Sequence, residues 1–347
     1  MIELSKKIID MIEDARKFVV KTSNTVMVFT YFSVGSMIVE ELQSGKEKAG
    51  YGKKLLKKVS ADLSKKLGKG FSVDNLENMR RFYLIYSTQI RISENGSRIL
   101  TNTLISEKLS RKLPSNFLTW SHYIFLSRIE NEAERKFYGL ESLQSNWGIK
   151  ELRRQFDSGL YERLSLSRDK KKVLELSRKG QIIEKPHDII KSPVVLEFLG
   201  FEEKAKYSET ELETAIINQI EKFMLELGKG FFYGGRQVRF TFDEEHYFVD
   251  LVFYNRLLRC FVIIDLKIGK LAHQDLGQMQ MYINYYDRFI KSKEENKTIG
   301  IIVCKQNNKA VVEITLPKNN KHLFTAQYKT ILPKKNDLIK LVEEYNE

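Results

Sequence analysis

Asp250, Asp265, Lys267 and Gln278 are the polar residues of this 347-residue chain that assemble most readily into a reaction centre. The first three interrupt otherwise apolar runs, FVDLVFY and CFVIIDLKI. A carboxylate buried in such a run is costly without a partner. Two close together repel unless a cation or a proton lies between them. Oxygen-only ligation by two carboxylates suits Mg²⁺ or Mn²⁺ rather than zinc. Such an ion acts as a Lewis acid and lowers the pKa of bound water. A lysine beside one ligand then serves to position the water and to offset charge on a phosphate. The chemistry these residue types offer is phosphodiester hydrolysis. The competing reading is an ion pair of Lys267 with Asp265 or Asp250 that holds a hairpin together.

Positioning these residues requires strands. Residues 248–282 read as a β-hairpin followed by a helix, and strand periodicity puts 265 and 267 on one face. If Arg256-Leu257 is a two-residue turn, 255 pairs with 258 and 250 with 263. Asp250 then lies diagonally across from Asp265, about 7–8 Å away. Another turn length shifts the register. Before the hairpin comes a helix over 209–227, with Ser208 as N-cap and Ile216, Ile217, Ile220, Phe223, Met224 and Leu227 on its buried face. Strands are expected over 231–241, 246–254 and 258–267, then a helix over 272–289 and a buried strand over 298–304. Edge strands over 311–316 and 323–328 and a helix over 336–345 complete an α-β-β-β-α-β order with additions.

The first half differs in charge and pattern. The chain carries a net charge of +13, unevenly spread: residues 1–205 hold 37 Lys+Arg against 26 Asp+Glu, and residues 206–347 hold 21 against 19. A basic half beside a nearly neutral one points to an acidic polymer as partner, most readily nucleic acid. Helices are expected over 2–45, 53–67, 75–86, 116–131, 132–142 and 147–164, and a polar loop over 88–114 with Asn95-Gly96 as a turn. The pair 53–67 and 75–86, joined through Gly68 and Gly70, is helix-turn-helix-like. Arg80, Arg81, Arg153, Arg154 and Arg163 are candidate phosphate contacts. The expected division is a basic helical domain over 1–195, a linker over 196–207 and an α/β domain over 208–347. No apolar run reads as a bilayer span, no secretory leader is evident, and two isolated cysteines suit a reducing cytosol. A cytoplasmic protein without membrane attachment is the expectation.

The spacing Asp-x14-Asp-x-Lys, flanked by apolar strands and preceded by a helix with Glu209 and Glu213, resembles the PD-(D/E)xK nuclease superfamily. Asp265 stands where Glu is commoner there. More specifically, the chain is similar to the YhcG-type family, which joins an N-terminal helical domain to a C-terminal nuclease-like domain. The resemblance rests on ELGKGFFYGGRQ (226–237), VDLVFYNRLLRCFVIIDLKIGK (249–270), GQMQMYINYYD (277–287) and TIGIIVCK (298–305), and in the first half on GKGFSVDNLENMRRFY (68–83) and SNWGIKELRRQFDSGLYER (145–163). It implies an α+β chain whose C-terminal domain has the restriction-endonuclease-like αβββαβ core. By that resemblance Asp250 and Asp265 hold the metal and Lys267 assists the water. Gln278 orients water or phosphate, and Glu213 is the candidate further acid with Glu209 as its rival. Arg236 and Gln237 are candidate substrate contacts, with pairing to Asp243 or Glu244 as the alternative, and Tyr282 reads as packing. The implied activity is Mg²⁺- or Mn²⁺-dependent DNA endonuclease cleavage in a bacterial defence, restriction-associated or mobile-element setting, in a homodimer if both strands are cut. The alternatives are a non-catalytic scaffold that keeps the fold, or cleavage of RNA.

Overall fold

The computed structural model describes residues 2–44, 51–88, 117–166, 170–202 and 206–346. The expected loop over 88–114, with its Asn95-Gly96 turn, lies almost wholly outside them. The chain forms two compact units, Met1–Ile149 and Lys150–Glu347.

In the first unit α1 (Ile2–Ser44) is followed by α2 (Tyr51–Leu67), α3 (Val73–Tyr86), α4 (Trp120–Leu126) and α5 (Glu132–Gln144). Ser72 caps α3 by accepting from the Asn75 amide, as its position before the apolar run requires. Leu76, Met79 and Phe82 of α3 are fully buried. Leu76 and Met79 share a core with Ile38 of α1 and Leu56 of α2. Phe82 meets Phe32 of α1 edge-on at 5.5 Å. The helix pair α2–α3 therefore forms as expected, but its residues are partly committed: Asn75 donates to Gly70 O at 2.5 Å and accepts from Trp120 Nε1 at 3.2 Å. One expectation is corrected. α1 is long and apolar enough to pass for a membrane span by length and composition, because residues 22–39 carry no charge among their Thr, Ser and Asn interruptions. Val28, Phe32, Ile38 and Val39 of that stretch are buried in this unit.

The second unit opens with α6 (Ile149–Asp157), α7 (Leu160–Leu166) and α8 (Lys170–Lys179), then β1 (Val194–Val195). The single helix expected over 147–164 breaks at Ser158-Gly159, where Gly159 adopts φ +64, a left-handed conformation open to glycine. The two compact units divide between residues 149 and 150, ahead of the linker expected over 196–207. β1 pairs in parallel with the strand that holds Tyr328 and Lys329, through Val194↔Tyr328 and Val195↔Lys329, and so forms one edge of the sheet. Arg154 and Arg163 bind Glu226. Residues 150–199 therefore belong to the sheet-bearing unit and not to the helical one.

The helix expected over 209–227 bends at Gln219 into α9 (Glu209–Asn218) and α10 (Ile220–Leu227). Then follow β2 (Phe231–Phe242), β3 (Glu245–Asn255), β4 (Cys260–Lys270), α11 (His273–Tyr285), β5 (Ile299–Gln306), α12 (Lys309–Thr315), β6 (Leu323–Lys329) and α13 (Lys335–Asn346). Of residues 311–316, expected as an edge strand, 311–315 are instead helical in α12 and Leu316 is its extended C-cap. Asn308 caps the helix by accepting from Val311 N, a local bond that outweighs the β-branched bias of VVEIT. The six strands lie in the order β1-β6-β5-β4-β3-β2. β1, β6, β5 and β4 run parallel, and β3 and β2 continue antiparallel.

Helices cover both faces, and alternation along β4 distributes its side chains between them. Val262, Ile264 and Leu266 pack with Leu212, Ile216 and Phe223 of α9–α10. Ile263 packs with Leu276, Met279 and Tyr282 of α11. Gly300 in β5 lets α11 approach, since a Cβ there would lie 2.5 Å from Met279 Sδ.

Candidate active site

The hairpin turn decides how the two aspartates meet. Asn255 is fully buried, and its Oδ1 accepts from Leu257 N at 3.0 Å and Leu258 N at 3.1 Å. Its Nδ2 donates to Lys229 O. These bonds, with Arg259 at φ 48, make a four-residue turn in place of the expected two. Asn255 therefore pairs with Cys260 and Leu251 with Ile264. Carried one residue further, this register sets Asp250 directly opposite Asp265 and not diagonal to it. A slip of two residues preserves the face, so the expected juxtaposition survives the corrected register and becomes closer.

Asp265 is buried, and its Oδ2 lies 2.9 Å from Lys267 Nζ, with no hydrogen-bond donor beyond that ion pair. Burial pushes the Asp265 carboxyl up to about 7; the Lys267 ammonium opposes this, and the Asp250 carboxylate adds to it. Burial lowers the pKa of Lys267, but the carboxylates of Asp265, Glu209 and Asp250 more than reverse that, so the ammonium is held above its usual range. Asp250 is fixed from two sides. Its Oδ2 accepts from Leu266 N at 2.8 Å and its Oδ1 from Gln237 Nε2 at 3.0 Å.

The two acids of α9, one turn apart, divide between partners. Glu209 is exposed and lies 3.7 Å from Lys267 Nζ. Glu213 is buried and takes Gln237 Nε2 at 2.7 Å and Arg236 Nε at 3.1 Å. Arg236 and Gln237 thus pair with Glu213, and not with Asp243 or Glu244. On α11, Gln278 donates to Tyr282 Oη at 2.5 Å. Tyr282 is as buried as the packing reading implies, yet its phenol also feels Asp265, Asp250 and Lys267 and is raised, chiefly by burial. The i,i+4 spacing of Gln278 and Tyr282 was the sequence signal for that contact.

Among the candidate phosphate contacts, Arg81 and Arg153 are exposed. Arg80 is half-buried and bound by Glu77 at 2.6 Å. Arg154 is withdrawn from any phosphate: it donates to Glu197 at 2.9 Å, Glu226 at 3.0 Å and Val195 O at 3.0 Å. Arg163 is fully buried against Glu226. Both turn inward because α6 and α7 are separate helices whose arginines meet Glu226 of α10.

The donor set fits a hard divalent cation. Two facing carboxylates, one with an oxygen served only by an ion pair, need positive charge between them. Among the described residues no three or more His, Cys, Asp or Glu converge as a metal cluster. The protein would therefore supply two carboxylates and leave other positions to oxygen from water or substrate, a division usual for Mg²⁺.

Both halves of the chain have matches among known protein families. Residues 187–343 match the YhcG PDDEXK nuclease domain, and residues 7–163 match the DUF1016 N-terminal domain. The protein from Escherichia coli (strain K12) described as "Putative nuclease YhcG" is 37% identical over 337 residues, spanning 94% of this chain and 89% of that protein. The crystal structure of a repair endonuclease from Pyrococcus abyssi aligns over 38% of this chain and 50% of its own at 15% identity, with a TM-score of 0.26, too low to carry an argument. The chain belongs to the YhcG family, with a DUF1016 helical region followed by a PDDEXK nuclease domain.

Proposed function

We propose that this protein is a Mg²⁺- or Mn²⁺-dependent endonuclease that hydrolyses DNA phosphodiesters at Asp250, Asp265 and Lys267. The observation that carries the reading is the pairing of Asp250 and Asp265 across β3 and β4 with Lys267 on the same face. A structural ion pair needs one carboxylate; a second one facing it is an electrostatic cost that its neutral donors, Leu266 N and Gln237, do not neutralise. When bound between the carboxylates, the metal supplies Lewis acidity toward a phosphoryl oxygen and a more acidic water. Asp265, Glu209 and Asp250 hold the Lys267 ammonium above its usual range, which suits it to act as a cation and donor and not as a base. Its ammonium orients the attacking water and offsets charge developing on the phosphate. Gln278, held by Tyr282, offers an amide on the α11 side for a substrate or water oxygen. The exposed Arg81 and Arg153 of the basic first half offer contacts for DNA phosphates. DNA is favoured as the polymer because the charge excess fits a duplex backbone. Defence, restriction or mobile-element processing is the setting in which a cytoplasmic enzyme of this kind would act.

A supercoiled-plasmid nicking assay with Mg²⁺, Mn²⁺ or EDTA, on wild type and Asp265→Ala, tests the proposal. Nicking that requires metal and disappears in the variant is the expected outcome. Activity that survives Asp265→Ala, or none on DNA with either metal, would overturn it; metal-dependent cleavage of RNA alone would overturn the choice of polymer.

A further inference from the structure

The strand β2 contributes two side chains to the site in an unusual way. Its pairing with β3 shifts by one residue between Tyr233 and Gly235. Beyond the shift Arg236 pairs with Leu251 and Val238 with Val249, which sets Gln237 opposite Asp250. Without the shift, Arg236 would occupy that place, since Tyr233 pairs with Phe253 before it. A guanidinium facing Asp250 would compete with a cation for the carboxylate; an amide orients it without neutralising it. Gln237 itself lies at φ 45, where a residue with a Cβ is uncommon. That departure breaks the strict alternation of a strand and lets neighbours 236 and 237 both reach Glu213.

We infer that Glu213 is not a ligand of the cation site but the buried anchor of a brace, in which Gln237 is a positioning residue that fixes the Asp250 carboxylate. Glu213 Oε2 accepts from Gln237 Nε2 at 2.7 Å, and Oε1 makes no hydrogen bond but is neutralised by the Arg236 guanidinium, whose Nε lies 3.1 Å away. The amide of Gln237 therefore stands between Glu213 and Asp250 and reaches Asp250 Oδ1 at 3.0 Å. Leu266 N holds the other oxygen, so each Asp250 oxygen is held by one neutral donor and the carboxylate stays charged opposite Asp265. Second-sphere bonds of this kind set ligand orientation and affinity. The inference rests on the metal site proposed above and assigns the acid of α9 a different task from the two aspartates.

Mn²⁺ binding to the full chain, read by the loss of the free-ion signal in electron paramagnetic resonance, separates the possibilities without relying on cleavage. Wild type, Glu213→Gln, Gln237→Leu and Asp265→Asn are titrated, with thermal melts verifying that each is folded. Glu213→Gln keeps an oxygen for Gln237 to donate to, so its Mn²⁺ affinity is expected to stay within about threefold of wild type. Gln237→Leu, at an exposed position, is expected to lose about tenfold or more, in the range seen for outer-shell partners. Asp265→Asn is expected to abolish tight binding. Loss in Glu213→Gln equal to that in Asp265→Asn would make Glu213 a ligand and overturn the inference alone. Wild-type affinity in Gln237→Leu would overturn the positioning role. Wild-type affinity in Asp265→Asn would overturn the metal site itself, and the brace with it.

Discussion

At the scale of residues, the chemistry depends on which charges can be neutralised from within the chain. Lys267 neutralises Asp265 across 2.9 Å, whereas Asp250 receives only neutral donors, a backbone amide and a glutamine. The site therefore retains an excess of negative charge, which is what a cation site requires. Lys267→Met removes the ammonium while keeping the stem, and its kcat for nicking is expected to fall about 100-fold or more. DNA affinity measured by fluorescence anisotropy should change little in the same variant; a matching loss of affinity would make Lys267 a binding residue only. The aspartates and the lysine were legible in the sequence because charged residues in apolar strands stand out. Gln237 was legible as a neighbour of the site but not in its role. A one-residue shift in β2 and a left-handed backbone decide which of 236 and 237 faces Asp250; Gly234-Gly235 mark the place of the shift, but no residue type marks the left-handed conformation at Gln237.

At the scale of elements, two features hold the site in shape. The first is the seat of α11 on β5. Gly300→Ala would drive a methyl into Met279, whose Sδ and Cγ lie 2.5 and 2.7 Å from the added carbon. Overpacking of this kind costs about 1–3 kcal/mol, seen as a lower melting temperature, and nicking should fall too because α11 carries Gln278. The second is the knot around Glu226 in α10, which joins α6, α7 and β1 to the sheet-bearing core. Burial alone would raise the Glu226 carboxyl, but Arg163, Arg154 and Lys191 hold it down to about 2. A folded pKa below the unfolded one contributes stability that is complete above the unfolded value and is lost as pH falls from about 4.5 toward 2, roughly 3 kcal/mol in all. Urea midpoints between pH 7 and pH 3 should show this loss. Glu226→Gln should be destabilised at pH 7 by about 3–5 kcal/mol, since it strands two arginines, and should show a smaller dependence on pH in that window. An unchanged pH profile in the variant would assign the loss to other carboxylates. Most strands and helices were legible from periodicity. The Asn255 turn and α12 were not, because a single side chain bonding to nearby backbone amides overrode the local propensity in each case.

At the scale of the whole molecule, the uneven charge and the two compact units describe different divisions. The basic excess counted over residues 1–205 includes Arg154 and Arg163, which are internal to the sheet-bearing unit. Their partner Glu226 lies 72 and 63 residues further along the chain, a distance over which no local pattern could reveal the pairing. The charge available to DNA therefore rests on exposed groups such as Arg81, and Arg81→Ala is expected to reduce the slope of log affinity against log salt by about 0.9. An unchanged slope would remove that residue from the phosphate contacts. Family membership was legible from the motifs of both halves, because those motifs carry the residues that build the sheet and the site.

Everything proposed for this site requires that Asp250 and Asp265 share one divalent cation. The most direct test of this is anomalous diffraction from crystals of this protein soaked in Mn²⁺. An anomalous peak is expected between the two carboxylates, within bonding distance of both and absent from crystals of Asp265→Asn. A fully occupied peak elsewhere in the sheet-bearing unit, with none between Asp250 and Asp265, would contradict it.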